Sequence, residues 1–312
     1  MKNYLFCFSA LICASVVILS SCSNDSSGYK NDSVTKQRLV SEINMDIDRG
    51  MHYVDVYLEY DYKNRVSKVT YIDEYPEHGY GETSVFEISY YDTGSNNKTI
   101  EMIIEDRSTG DSDLELETRV NINLNRNGYI ENVESNYIYL GYTENVEYLF
   151  DKIGRLVLAR YDEADEYTRE TEYGWENSNV VSVLSYTGDD NMESKLLRDS
   201  ENHNLINVDL NRFILMADGS PAGITDYGAN YYIWFLGLKG TKSANYITNI
   251  NTTYMFKSDS DFLEFEEYED RTKLTWMYDN GYPVKCQGLI SSYEDGKFDD
   301  SAEFVMKIKY RN

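Results

Sequence analysis

The residue best placed for a defined chemical reaction is Cys22. It closes the sequence Leu19-Ser20-Ser21-Cys22, after a positive start at Lys2 and an uncharged, mostly apolar run over residues 5–19. Small residues before a cysteine at the end of such a run are typical of a bacterial lipoprotein signal, which is cleaved so that the thiol carries lipid. The run is also shorter than the roughly 20 residues of a membrane-spanning helix. We predict a signal peptide over residues 1–21 and lipid attachment at Cys22.

Other residues that could take part in catalysis or metal binding are scattered along the sequence. His52, His78 and His203 form no pair at metal-ligand spacing, and no nucleophile elbow, Walker loop or dinucleotide fingerprint occurs. Acidic residues are so numerous that any fold would bring two within glycosidase distance, which makes their presence uninformative. We assign no catalytic residue, no cofactor and no metal, and expect a protein that is not an enzyme.

Two acidic clusters and three tryptophans remain as candidates for ligand contact. Asp189-Asp190-Asn191 and Asp259-Ser260-Asp261 could hold calcium, but neither has the spacing of an EF-hand loop, and solvated turns explain both. Trp175, Trp234 and Trp276 could stack on a sugar. Trp234 lies in an apolar run and is expected in the core, whereas the other two lie on predicted strands. The ligand-binding residues are left unknown.

Cys286 is the single ordinary cysteine that remains once Cys7 and Cys13 leave with the signal and Cys22 is acylated. An intramolecular disulfide is then excluded, which a chain of this size tolerates because it can bury enough apolar surface without one. We expect Cys286 to be a packed small hydrophobe rather than a nucleophile.

The net charge of the chain is −25. Such a field repels phosphate backbones, so nucleic acid is excluded as a partner, whereas cations or a basic protein face are compatible with it. The simpler interpretation is that the charge keeps a tethered protein soluble.

The elements that would position any site are predicted to be strands. The chain has 30 tyrosines and only 3 prolines, and tyrosine suits a pleated, half-buried surface. Apolar and polar residues alternate over Leu114–Leu124, and the arrangement recurs from Ala302 to Tyr310. Alternation of this kind predicts antiparallel sheet with one solvated face.

Recurring turn sequences connect these strands. Asp61 leads through Asn64 to Arg65, and Asp151 leads through Gly154 to Arg155; Asn127-Gly128 and Asn280-Gly281 are related turns. An Asp or Asn side chain can cap such a turn, and Gly or Asn adopts the positive φ of a tight reversal. The pattern predicts a meander of hairpins.

The region over residues 204–251 differs from the rest. Tyr231–Leu238 carries no charge, so we expect it to be buried against the sheet, as a plug or lining. Leu210–Met216 could form a short helix. The domain prediction is a signal peptide at 1–21, a lipidated flexible tether at 22–36 and a single β domain at 37–312.

The chain resembles a family of uncharacterised Bacteroidetes lipoproteins, described as a domain of unknown function with a porin-like fold. The resemblance is carried by Leu19-Ser20-Ser21-Cys22, by the hairpin Tyr278-Asp279-Asn280-Gly281-Tyr282-Pro283, and by Asn207–Asn211 with Leu236–Ser243. It covers nearly all of the mature chain. It implies an antiparallel, strongly curved sheet or barrel, and it transfers no functional residue.

A transmembrane barrel would also show the alternation of Leu114–Leu124. However, the predicted strands at residues 155–160 and 268–273 contain charged side chains, and the tyrosines are not concentrated at strand ends as in an inserted barrel. We therefore predict a lipidated, soluble porin-like barrel or rolled sheet rather than an inserted one.

Three functions stay open at this point. The favoured one is a non-enzymatic binding or accessory lipoprotein of the outer membrane, with a glycan, peptide or protein as ligand. Ser23 lacks the aspartate that retains a lipoprotein at the inner membrane, which favours the outer membrane, with the domain on the periplasmic face or the cell surface. The alternatives are a structural component of an envelope complex and a carboxylate-dependent hydrolase.

Overall fold

The computed structural model of the chain describes residues 38–92, 98–109, 115–162, 168–187, 190–204, 206–216, 233–257 and 265–311. Within these ranges the helices are short, and none has the length and apolar character needed to cross a bilayer.

Sixteen strands make up most of the described chain. Their bounds are β1 Val40–Ile47, β2 His52–Tyr60, β3 Val66–Tyr75, β4 Tyr80–Asp92, β5 Lys98–Thr109, β6 Glu115–Leu124, β7 Ile130–Tyr137, β8 Tyr142–Phe150, β9 Leu156–Asp162, β10 Thr168–Glu176, β11 Asn179–Thr187, β12 Asp190–His203, β13 Asn245–Lys257, β14 Phe265–Asp279, β15 Tyr282–Glu294 and β16 Lys297–Tyr310. One α-helix, α1, spans Leu210–Met216, and 3-10 turns lie at Asp48–Gly50, Pro76–His78 and 233–236.

The strands form a closed antiparallel barrel in which each strand pairs with its sequence neighbours. The ring closes between β1 and β16, where Ile43 lies opposite Ile308 and Met45 opposite Met306. The prediction of an all-β hairpin meander that curves into a porin-like barrel is confirmed. Closure removes the unpaired edges that an open sheet of this size would expose.

Buried inward side chains alternate with exposed outward ones along the strands, and most of the outward ones are polar. Exposed apolar exceptions on the outer surface are Ile103, Leu149, Leu197, Met277 and Leu289. On β6, Val120 and Ile122 are buried and Asn121 and Asn123 are exposed, as the alternation of Leu114–Leu124 predicts for its described part. The exterior carries cross-strand ion pairs, such as Lys309 Nζ to Glu42 Oε1 at 2.7 Å. A transmembrane barrel has the opposite polarity, with an apolar outer band. The described outer surface is therefore more polar than such a band.

The predicted turn chemistry is present. Asp61 Oδ1 accepts hydrogen bonds from the amides of Lys63 at 2.8 Å and Arg65 at 2.9 Å, and Asn64 has φ +59°. Asp151 Oδ1 accepts the same pair of bonds from its own turn, where Gly154 has φ +83°. Because each carboxylate also pairs with the arginine of its turn, these reversals are rigid.

Described residues of the segment between β12 and β13 pack against the inner face of the barrel. Leu210, Phe213 and Ile214 of α1 are buried, as are Trp234 and Phe235. The rings of Phe213 and Trp234 lie 4.7 Å apart, and that of Phe235 lies 5.7 Å from Phe86 on the wall. The predicted short helix and the predicted packing of the central apolar segment are confirmed for these residues; 231 and 232 lie outside the described ranges.

Candidate functional site

The antiparallel order gives the barrel two distinct ends. The start of β1, the end of β16 and the turns β2–β3, β6–β7, β8–β9, β10–β11 and β14–β15 share one end. The described residues of 204–244 lie across this end, and we call them the cap and this end the capped end. Three backbone hydrogen bonds tie the cap to three of the turns: Ile130 N to Leu238 O at 2.9 Å, Thr241 N to Gly154 O at 2.8 Å and Ala244 N to Ser178 O at 3.0 Å.

Asparagine side chains add further ties between the cap and the wall. Asn207 Oδ1 accepts a bond from the amide of Val40 at 3.0 Å, and Asn207 Nδ2 donates to the Tyr60 hydroxyl at 2.9 Å. Asn211 links α1 to the start of β13: its side-chain amide donates to Asn245 O and its side-chain oxygen accepts from Ile247 N, both at 2.9 Å. The capped end is therefore closed by backbone and side-chain bonds together.

Two cations are buried beneath the cap. Arg198 Nη2 donates to Val180 O, and Lys242 Nζ donates to Ile206 O, each at 2.5 Å. Burial lowers the pKa of both side chains, to about 9 for Arg198, while the charge of Asp209 opposes the shift in each case. Asp209 of the cap thus stabilises one buried positive charge on the wall, Arg198, and one within the cap, Lys242.

A cavity of about 230 Å³ lies beside the cap. Its lining is Arg65, Tyr90, Tyr91, Lys98, Thr99, Ile100, Leu124, Gly128 and Leu238. Arg65 is already engaged, because it pairs with Asp61 and stacks over the Tyr90 ring at 4.0 Å. The volume is below the roughly 300 Å³ at which pockets for small organic ligands begin.

The inner wall changes character away from the cap. Inward positions near the cap are apolar, and those at mid-height are small hydroxyl residues. The buried hydroxyl residues are Ser84, Thr118, Ser135, Thr171, Ser185, Ser194, Thr252 and Thr272. Pairs of them bond across strands, for example Ser194 to Thr252 at 2.8 Å. Along β4, for example, Ser84 lies between the buried Phe86 on the side of the cap and Glu82 on the side of the uncapped end.

Carboxylates line the inner wall at the uncapped end. Asp73, Glu82 and Asp106, which we call the acidic wall, lie on β3, β4 and β5, where Glu82 pairs in register with Asp73 and Ser84 with Asp106. Burial first, and then the charges of Asp106 and Asp73, raise the pKa of Glu82. Burial also raises the pKa of Asp106, against a hydrogen bond from Ser84. The three groups therefore form a region of concentrated negative potential.

Aromatic and imidazole rings accompany the acidic wall. His52 Nε2 lies 2.6 Å from Asp73 Oδ1, and the His52 ring stacks on Tyr75 at 4.2 Å. Elsewhere at this end, Tyr137 donates to Glu144 Oε2 at 2.8 Å. Tyrosines beside carboxylates thus recur around the inner wall.

Carboxylates and tyrosine faces together recognise cationic groups, through ion pairing and cation–π contact. Within the described ranges, no group of three or more His, Cys, Asp or Glu residues is arranged to hold a metal ion. Among the described residues that end of the interior is also crossed by no segment comparable to the cap. The acidic wall and its neighbouring tyrosines therefore suit a positively charged group.

The sequence candidates lie elsewhere. Trp234 is in the core as predicted, and Trp175 and Trp276 are half-buried, with their indole N–H groups donating to wall carbonyls at 2.7 Å. Cys286 is buried, and burial raises its pKa, as expected of a packed hydrophobe.

Some candidates lie outside the described residues. These are Cys22, Asp189 and the cluster at 259–261, whereas Asp190 and Asn191 begin β12. Sequence reasoning missed the acidic wall; the available signal was an acidic residue at an inward position of three consecutive strands.

Comparison with known proteins identifies the fold. No family model matches the chain, and no curated protein matches it. Among solved structures it is similar to a porin-like protein from Bacteroides uniformis ATCC 8492, with a TM-score of 0.62 and 14% identity over 88% of this chain and 99% of that one. A porin-like protein from Bacteroides vulgatus ATCC 8482 gives 0.51 and 11% over the same shares. Identities this low show a shared porin-like fold alone.

Proposed function

We propose that this protein is a non-enzymatic binding lipoprotein of the outer membrane, which takes a basic peptide segment of a partner into the uncapped end of its barrel. The observation that carries the proposal is the asymmetry of the interior. One end is packed and tied shut by the cap, and the other presents the acidic wall with adjoining tyrosines.

The chemistry of the wall supports a cationic ligand. Ionisation of Glu82 and Asp106 is less favourable in the free protein than in water, because each is partly desolvated and Glu82 has acidic neighbours, which raises the pKa of both. A lysine or arginine side chain of the ligand would relieve that repulsion and donate hydrogen bonds to the carboxylates. A net charge of −25 would also steer a basic partner toward the protein.

The outer-membrane location rests on the lipid-signal sequence ending at Cys22 and on the mostly polar outer surface of the described strands. A barrel with a polar exterior needs a separate anchor to stay at a membrane. Replacement of Cys22 by Ala should abolish lipid labelling and move the protein out of the membrane fraction. Unchanged fractionation would contradict the anchor.

Binding is tested with a fluorescent oligolysine peptide by anisotropy. The triple variant Asp73→Asn/Glu82→Gln/Asp106→Asn should weaken binding at least about tenfold, since each lost charge pair contributes on the order of 1 kcal/mol.

The matched control, Glu87→Gln/Glu101→Gln/Glu105→Gln, removes the same charge from exposed outer positions of β4 and β5. It should change affinity less than twofold at physiological salt. Equal losses in both variants would show only a general charge effect, and binding of a neutral glycan in place of the peptide would replace the proposed ligand.

A role in envelope assembly is a second candidate, favoured by one observation. The β7–β8 turn at the uncapped end exposes Ile138, Tyr139 and Leu140, each by more than half of its surface. Adjacent exposed apolar residues at a turn tip are typical of protein contact sites. The variant Ile138→Ser/Leu140→Ser should lose a stoichiometric partner in a pull-down if this turn docks one, and retain it if the acidic wall does.

A further inference from the structure

The chain enters and leaves the barrel at the capped end. Val40 begins β1 beside Tyr310 of β16, and the amide of Arg311 donates to Leu39 O at 2.8 Å. Residues 23–37 separate this point from Cys22. If Cys22 carries lipid, as the proposed function requires, the anchor therefore joins the barrel at its capped end.

Exposed charge at the turns differs between the two ends. At the capped end, the exposed charged residues within the turns are basic, Lys63, Arg126 and Lys152, and the acids Asp61 and Asp151 pair with arginines of their own turns. Exposed acids lie only on the strand ends beside these described turns, at Glu59, Glu131, Glu176 and Asp279. At the uncapped end, the described turns themselves carry the acids Asp48, Glu77 and Asp295 together with Arg49 and His78. A strongly acidic protein thus concentrates exposed basic turn residues around its chain entry.

Apolar side chains stand beside these basic residues at the turn tips. Tyr62 is 88% exposed and Ile153 is 64% exposed, each next to a lysine in the sequence. The Asp-capped turns hold both tips outward, and Lys63 Nζ lies 5.5 Å from the Tyr62 ring centroid. Aromatic or aliphatic tips flanked by lysine are suited to the headgroup layer of a bilayer, where the ring or alkyl group inserts and the cation meets phosphate.

We propose that the capped end is a membrane-docking face, on which Tyr62, Lys63, Arg126, Lys152 and Ile153 contact a phospholipid surface containing anionic lipid. The inference rests on the lipid anchor of the proposed function and adds an orientation to it. In this orientation the capped end contacts the membrane, and the uncapped end with its acidic wall faces away from it. The anchor keeps the face close to the lipid, so a few weak contacts suffice to orient the barrel.

The test uses the full-length lipoprotein, reconstituted in phosphatidylcholine vesicles with a minority of phosphatidylglycerol. An environment-sensitive fluorophore is attached at Ile153→Cys. The matched control is attached at Phe298→Cys, which is similarly exposed at the uncapped end. Background labelling is low because Cys286 is buried with a raised pKa. We expect the signal at 153 to rise at least about twofold with a blue shift on vesicles, and the signal at 298 to stay unchanged.

Charge reversal gives the second arm of the test. Lys63→Glu/Arg126→Glu/Lys152→Glu in the labelled protein should return the signal at 153 to its value in water, while the protein still floats with the vesicles. If the protein floats with the vesicles but the labels at 153 and 298 both keep the signal they have in water, docking would be overturned and the anchor would remain supported. Immersion at 298 instead would reverse the orientation. Failure of the wild type to float would overturn the anchor and the docking face together.

Discussion

At the scale of single residues, one arrangement recurs around the capped end. An aspartate accepts two amides of its turn and pairs with the arginine that follows, as at Asp61 and Asp151. An aromatic two strands along then donates to the backbone beside that arginine: Tyr90 to Val66 O and Trp175 to Leu156 O, both at 2.7 Å. Turn geometry and strand packing are thereby joined by the same few side chains.

Replacement of Asp61 separates the two roles of this carboxylate. Burial disfavours its ionised form, but hydrogen bonds from Arg65 and Lys63 outweigh that effect and lower the pKa of Asp61. Asp61→Ala loses every bond and should reduce the free energy of unfolding by about 1 kcal/mol in urea titrations. Asp61→Asn keeps an oxygen for the two amides and should lose roughly half as much. Equal losses would assign the whole effect to the ion pair.

The acidic wall should be destabilising at neutral pH. Because the pKa of Glu82 is raised in the folded protein, its contribution to stability is present below its ordinary pKa and is lost as pH rises through the raised value. Glu82→Gln is neutral throughout. It should therefore raise the melting temperature at about pH 7 by roughly 2 °C, and the gain should vanish near about pH 4. A gain of equal size at both pH values would indicate a packing effect instead.

The residues of the turns were predictable and those of the acidic wall were not. Asp61 and Asp151 act on amides within four residues of themselves, so local sequence specifies their bonds. Asp73, Glu82 and Asp106 come together only because neighbouring strands pair in one register. The alternation within each strand indicates which side chains point inward, but it does not indicate which inward positions of neighbouring strands lie side by side, because a shift by two residues keeps the same face.

At the scale of elements, the cap is bonded to the turns at one end of the barrel. The uncharged run correctly predicted the burial of Ile233, Trp234 and Phe235, since an uncharged, largely apolar segment has no charged face to present to water. The bonds that hold the cap could not be predicted, because they join Asn207, Asn211 and Lys242 to distant backbone groups. The result is a segment whose position depends on buried polar contacts.

Removal of the charge of Asp209 tests the hold on the cap. Asp209→Asn leaves Arg198 and Lys242 without their shared compensating charge, and breaking a buried charge pair costs about 3–5 kcal/mol. We expect a loss of about 3 kcal/mol in denaturant titrations and faster proteolysis between residues 204 and 245. Lys242→Met added to Asp209→Asn should recover part of the loss. If the double variant is the less stable of the two, the charges do not compensate one another.

At the scale of the whole molecule, the chain carries a net charge of −25. Self-repulsion of this size opposes the compact state and is screened by salt, whereas exposed ion pairs contribute little. Raising sodium chloride from about 0.02 M to about 0.5 M should therefore increase the melting temperature by about 3 °C. Potassium chloride at equal ionic strength is the control for specific ion binding. A fall in melting temperature would show that surface ion pairs dominate.

The ladder between β1 and β16 has a consequence for the order of assembly. Fifteen of the sixteen pairings join consecutive strands, and the one between β1 and β16 joins positions as far apart as Val40 and Tyr310. Consecutive strands can pair as soon as both are available. In contrast, the backbone groups on one edge of β1 stay unpaired until the final strand, β16, is available. During that interval its free amides and carbonyls can recruit a strand from another molecule. The first strand to be made is thus the last to be fully paired.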